Sequence, residues 1–142
     1  MQNHSIKICD WNSCETQLSD IRRAVFINEQ KVPEELEWDE FDASAQHVLA
    51  LNSLNEAVAT GRIKADGHIG RMAVLKDYRK QGIGSAILLV LLDIASRLKI
   101  EKVFLHAQVS AVPFYLKHGF VCDGDEFMDA GIAHKTMYKN LQ

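Results

Sequence analysis

Val74-Leu75-Lys76-Asp77-Tyr78-Arg79-Lys80-Gln81-Gly82-Ile83-Gly84-Ser85 is a strand-to-helix junction: an apolar strand ends, a short polar loop turns, and an apolar helix starts at the glycines. The first turn of a helix carries amides with no intrahelical acceptor and a partial positive charge. Glycines there let a ligand approach the backbone closely. Arg79 and Lys80 add full positive charge. The junction is therefore an anion site suited to a pyrophosphate. Two other nucleotide loops do not fit. A Walker A loop needs lysine directly after its last glycine, where this chain has Ser85, and a dinucleotide fingerprint needs glycine or alanine where it has Ile87.

On either side, Ile69 to Leu75 reads as the strand that feeds the loop, and Gly82 to Leu98 as the helix that leaves it. Ala86 to Leu92 is apolar nearly all round, so this helix should be buried. Upstream, Ser5 to Cys9 alternates like a strand. Ser13 to Asn28 places Leu18, Ile21, Val25 and Ile27 roughly on one helical face, with Asn12 or Ser13 as the cap. Beyond Pro33 lies an acidic stretch, Glu34-Glu35-Leu36-Glu37-Trp38-Asp39-Glu40-Phe41-Asp42. His47 to Leu51 and Ala57 to Lys64 form a hairpin around Asn52-Ser53-Leu54-Asn55. Downstream come a strand from Lys102 to Gln108, a short helix from Val112 stopped at Gly119, and strands from Phe120 to Phe127 and His134 to Lys139. The order β-α-β-β-β-α-β-α-β-β predicts one α/β domain over residues 1–142, a mixed sheet with helices on both faces.

The bulk properties narrow the function. A chain of 142 residues is the size of one domain. Its net charge of −3 argues against a nucleic-acid binder that relies on phosphate contacts. Cys9, Cys14 and Cys122 form no paired or metal-binding spacing, and an odd count fits reduced thiols in a cytoplasm. His68, His106 and His118 show no metal spacing either, so no metal is expected. No basic leader precedes an apolar run, and Ala86 to Leu92 is far too short to cross a bilayer. The expectation is a cytoplasmic protein with no nucleic-acid or membrane partner.

The pattern Arg79-x-x-Gly82-x-Gly84 resembles the acetyl-CoA pyrophosphate loop of the GNAT superfamily of N-acetyltransferases. A strand and a helix later, Phe114-Tyr115-Leu116-Lys117-His118-Gly119-Phe120 resembles that superfamily's F-Y-x-K-x-G-F segment. Phe26 to Asp42, Gly61-Arg62 and Gly131-Ile132-x-His134 extend the likeness over nearly the whole chain, toward the small bacterial branch typified by YjcF and ElaA. That branch often carries proline between the last two residues, and this chain has Ala133.

The resemblance implies a mixed, mostly antiparallel sheet splayed between the strands Ile69 to Leu75 and Val103 to Gln108, with acetyl-CoA in the gap. Pantetheine would pair with the backbone of Met72, Ala73 and Val74 and lie near Gln108. The diphosphate would sit on Arg79, Lys80, Gln81, Gly82, Ile83, Gly84 and Ser85. A bulge in the first strand would aim an N–H at the thioester carbonyl. Tyr115 is implied as the proton donor to the departing thiolate. The amine must also lose a proton, since an alkylammonium has a pKa of about 10. Glu29, His47 and His134 are candidate bases, with Asp39 or Asp42 acting through water. Each has a structural alternative: Glu29 can pair with Arg23, His47 can be a core histidine, and His134 can stabilise a turn. The acidic stretch sits where the fold lines its acceptor site, which suits a cation with an apolar stem. Arg62 and Arg71 would instead suit an acid group on the acceptor. The expected activity is acetyl transfer to a small-molecule amine. Amino-sugar or protein amines, or a non-catalytic acetyl-CoA sensor, are the rivals. A homodimer is compatible with the fold.

Overall fold

The computed structural model describes residues 4–141. β1 (Ser5–Cys9) leads into α1 (Trp11–Arg22), which continues as a π-helical turn over Arg23–Glu29. α2 (Glu34–Glu37) interrupts the acidic stretch. β2 (Gln46–Leu51), β3 (Ala57–Ile63) and β4 (Ile69–Val74) follow, then α3 (Ile83–Arg97). β5 (Lys102–Gln108), α4 (Val112–Lys117), β6 (Val121–Asp129) and β7 (Ile132–Asn140) complete the chain.

The helices cover both faces, as expected, and the ladders are antiparallel. The strands nevertheless form two sheets, ordered β1-β2-β3-β4 and β5-β7-β6. A single parallel bridge, His68 to Phe104, joins them at the start of β4. From there β4 and β5 diverge, which is the splay implied by the resemblance. α1 lays Leu18, Ile21 and Val25 against Leu49 and Ala73. α3 lays Ile87, Leu88 and Leu91 against Val48 and Ala50 from one sheet and Val103, Leu105 and Met137 from the other. Alternation along β2 explains the division, since Val48 and Ala50 face one way and Leu49 the other.

Two local readings need correction. α1 starts at Trp11, and its cap is Asp10, whose side chain accepts from the Ser13 amide at 2.8 Å, in place of Asn12 or Ser13. The helix does not run on to Asn28 as an α-helix. Wider turns take over, with the Gln30 amide donating to the Val25 carbonyl at 3.0 Å. Within the acidic stretch Glu37 and Asp42 are buried.

Candidate active site

β4 is paired on one edge only. Against β3 it carries a bulge, with Arg71 and Met72 both opposite Gly61. Arg71 takes φ 51°, a left-handed conformation costly for a residue with a side chain. Gly61 is required there. A Cβ would come within 2.8 Å of Ile87 and 2.9 Å of Leu91, so glycine lets α3 sit close beneath the bulge. The other edge of β4 faces β5 across a cavity of about 520 Å³. Met72, Ala73, Val74 and Gln108 line it. The Val74 carbonyl, however, is already taken by Arg79 Nε at 2.9 Å.

The cavity ends at α3. Gly82 caps the helix with φ 81°, and nothing lies within 4 Å of where its Cβ would be. An unblocked N-terminus of this kind can hold a diphosphate on the amides of Ile83, Gly84 and Ser85. The Ser85 hydroxyl is shared with His118 at 3.0 Å, leaving its amide for a ligand. Lys80 and Gln81 are exposed beside it. Arg79 does not reach toward this end: Nη1 and Nη2 donate to Glu29 at 2.8 and 2.7 Å.

That pair changes the reading of Glu29. Its partner is Arg79, while Arg23 pairs with Glu34 at 3.0 Å. Hydrogen bonding to Arg79 holds the Glu29 carboxyl below its usual range. A carboxylate made less basic and clamped by an arginine is a poor proton acceptor.

Tyr115 stands across the gap from the bulge. Its ring packs edge-on against Phe114 and Phe120, and its hydroxyl donates to Met72 Sδ at 3.5 Å, a weak contact. Burial pushes the hydroxyl up to about 12, so it stays protonated at neutral pH. His134 lines the same cavity from β7, opposite Gln108 in the ladder. Its Nδ1 lies 2.7 Å from the Ile132 carbonyl. A carbonyl only accepts, so Nδ1 carries the proton and Nε2 of the neutral ring has the free lone pair.

The remaining acceptor candidates separate from the cavity. Asp39, Asp42, His47 and Arg62 are not among its lining residues; Arg71 is. They belong to an ionic cluster behind it. Arg22, 1% exposed, donates to Glu37 Oε2 at 2.8 Å and to Asp42 Oδ1 at 2.7 Å. Arg62 donates to Asp39 at 2.8 Å and Asp42 at 2.9 Å. Arg71 reaches the Glu37 carbonyl at 3.0 Å, Glu37 Oε2 at 3.1 Å and Asp39 Oδ2 at 3.2 Å. Burial opposes ionisation of Asp39 and Asp42, but the arginines outweigh it and both sit below the usual carboxyl range. For Glu37 burial wins over Arg71 and Arg22, and its carboxyl is raised. His47 donates from Nε2 to the Asp42 carbonyl at 2.9 Å, and burial lowers its pKa. The reading of Asp39, Asp42, His47 and Arg62 as acceptor contacts is therefore corrected. They fix the acidic segment onto the back of β3 and β4.

Among the lining residues that the sequence reading passed over are Glu37, His68, His106 and Gln30. Glu37 lay unmarked in a run of acids. His68 and His106 had been set aside for lack of metal spacing, and no group among the described residues is arranged to hold a metal. The Gln30 side-chain carbonyl accepts from Gln108 Nε2 at 2.8 Å, tying the π-helical turn to the end of β5 across the cavity. No helix among the described residues is long and apolar enough to cross a membrane.

A split sheet, a bulged strand and an open helix N-terminus are the framework of an acyl-CoA-dependent acyltransferase. The model of the acetyltransferase (GNAT) domain matches residues 12–141, and the chain belongs to that family. Bacillus subtilis YjcF, described as an uncharacterized N-acetyltransferase, is 38% identical over 89% of this chain and 94% of its own length. Escherichia coli ElaA shares the fold with a TM-score of 0.87 at 24% identity, covering 97% of this chain and all of that one. A GNAT acetyltransferase of Elizabethkingia anophelis, solved with acetyl-CoA bound, superposes with a TM-score of 0.75 at 18% identity, covering 98% of this chain and 99% of its own.

Proposed function

We propose that this protein transfers the acetyl group of acetyl-CoA directly to a primary amine of a small acceptor. The observation that carries the reading is the cavity between β4 and β5, which runs from the Gly82 end of α3 past the bulge to Tyr115 and His134. The unpaired edge of Met72 and Ala73 offers backbone partners to pantetheine amides. The bulge is where an amide can meet the thioester oxygen as charge develops on it. His134 Nε2 takes a proton from the bound ammonium, directly or through water, and the free amine then attacks the thioester carbon. Tyr115 donates to the sulfur as the C–S bond breaks, and direct transfer needs no acyl-enzyme, so Cys122 on β6 has no part in it.

Acetyl-CoA should raise the melting temperature by mass action, while NAD and ATP should do much less. Release of free thiol in the presence of amines then reads the transfer. No shift at millimolar acetyl-CoA sinks the coenzyme assignment. A shift with no thiol release across a broad amine panel points instead to a binding module.

A further inference from the structure

Three imidazoles, His68, His106 and His134, line the acceptor end of the cavity, and Phe104 and Phe127 pack against them. His68 stacks on Phe104 at 4.7 Å between centroids and tilts against His106 at 4.9 Å. His106 meets Phe127 edge-on at 5.3 Å, and Phe127 stacks with His134 at 5.8 Å. The row crosses from the β4–β5 bridge to β7 on the face where His106 is exposed and Phe104, Phe127 and His134 are half-buried. Half-buried Phe26 and Val32, with exposed Leu36, line the cavity as well.

The charged groups that line this cavity are mostly committed. Its cations are Arg71 and Arg79. Arg79 is held by Glu29 and the Val74 carbonyl, at the coenzyme end. Arg71 is held by Glu37 and Asp39. Recruiting Arg71 to an acceptor anion would strip a buried carboxylate of one of its partners, a costly exchange. Of the lining carboxylates, Glu37 is paired with Arg22 and Arg71, whereas Asp129 is exposed at the rim. Burial lowers the pKa of His106 and takes that of His68 to about 4, so neither supplies positive charge at neutral pH.

We infer that the acceptor is an amine on a flat or apolar body that carries no carboxylate or phosphate, and that this body lies along the ring row from His68 to His134. The inference rests on the proposed acetyl transfer and narrows its substrate. The rings offer a stacking surface, Asp129 attracts the ammonium and repels anions, and no uncommitted cation lines the cavity among the described residues.

The test uses matched amines with acetyl-CoA: 2-phenylethylamine against phenylalanine, tryptamine against tryptophan, and glucosamine 6-phosphate as an anionic sugar. Thiol release should give kcat/KM at least about tenfold higher for each aromatic amine than for its carboxylate-bearing partner, the ratio set by ~1.4 kcal/mol of differential binding. His106→Ala should raise KM for 2-phenylethylamine and leave the acetyl-CoA melting shift unchanged. Equal or better turnover of phenylalanine, tryptophan or the sugar phosphate overturns the inference. So does acetyl-CoA binding with no turnover of either aromatic amine and no change in the ring NMR signals of His68 and His106 when the amines are added. Absence of the acetyl-CoA shift itself removes the transfer reading first, and this inference with it.

Discussion

In the proposed transfer Tyr115 and His134 take the two proton positions, and each can be isolated by a substitution that keeps its packing. Tyr115→Phe leaves the ring between Phe114 and Phe120 and removes a hydroxyl whose contact is a weak one to Met72 Sδ at 3.5 Å. Stability should hardly change, while kcat should fall by ~10²–10⁴-fold with acetyl-CoA affinity near wild type. Unchanged kcat would return Tyr115 to a packing role. For His134 the informative change is asparagine. Its amide can still donate to the Ile132 carbonyl in place of Nδ1–H, but nothing replaces Nε2. His134→Asn should therefore keep its melting temperature and lose kcat, most severely at low pH where free amine is scarce. Tyr115 was legible because its neighbours Phe114, Lys117, Gly119 and Phe120 stand at fixed offsets from it. Glu37 was not, because nothing local separates it from Glu34, Glu35 or Glu40. Only Arg22 and Arg71, brought to it by the fold, make it a buried member of that run.

The elements that were easiest to read are those whose signal is local. α3 follows from an apolar run opened by glycines, and the hairpin turn follows from Asn52, whose side chain accepts from the amides of Leu54 and Glu56 at 2.9 Å. The π-helical turn and the division into two sheets left no such trace, since both depend on how α1 and β5 sit against β4. The N-terminus of α3 provides an element-scale test. Gly82 has φ 81°, so Gly82→Ala should cost stability on the order of 1 kcal/mol through backbone strain yet keep the acetyl-CoA shift. Gly82→Asp should cost less, because aspartate tolerates this conformation and is a favourable cap. It should nevertheless abolish the shift by placing a carboxylate where the diphosphate lies. A more stable variant that binds less coenzyme separates the anion site from a merely structural turn. Retention of the shift in Gly82→Asp would mean that the diphosphate is held elsewhere.

At the scale of the whole molecule, the buried titratable groups set how the fold responds to acid. His47, His68 and His106 have folded-state pKa values below 6.5, chiefly through burial. Below pH 6.5 the unfolded chain therefore binds protons that the folded chain refuses, and stability falls with pH. For His68 this loss runs from about 6.5 down to about 4. Each such histidine steepens the fall by at most ~1.4 kcal/mol per pH unit. Asp39 and Asp42 act later: their depressed carboxyls contribute stability above their unfolded pKa of 3.8, which is lost as pH drops through the folded values. Glu37 has the opposite sign. Its raised carboxyl takes up its proton first in the folded protein, so it offsets part of the decline as pH falls through its raised folded pKa toward the unfolded 4.5. The melting temperature should thus begin to fall just below pH 6.5, before the depressed carboxylates of Asp39 and Asp42 are protonated. His68→Phe should flatten the slope between pH 6.5 and 4 while keeping a ring to stack on Phe104. A wild-type curve level down to pH 4.5, or an identical slope in His68→Phe, would show that His68 is not the group that couples acid to unfolding.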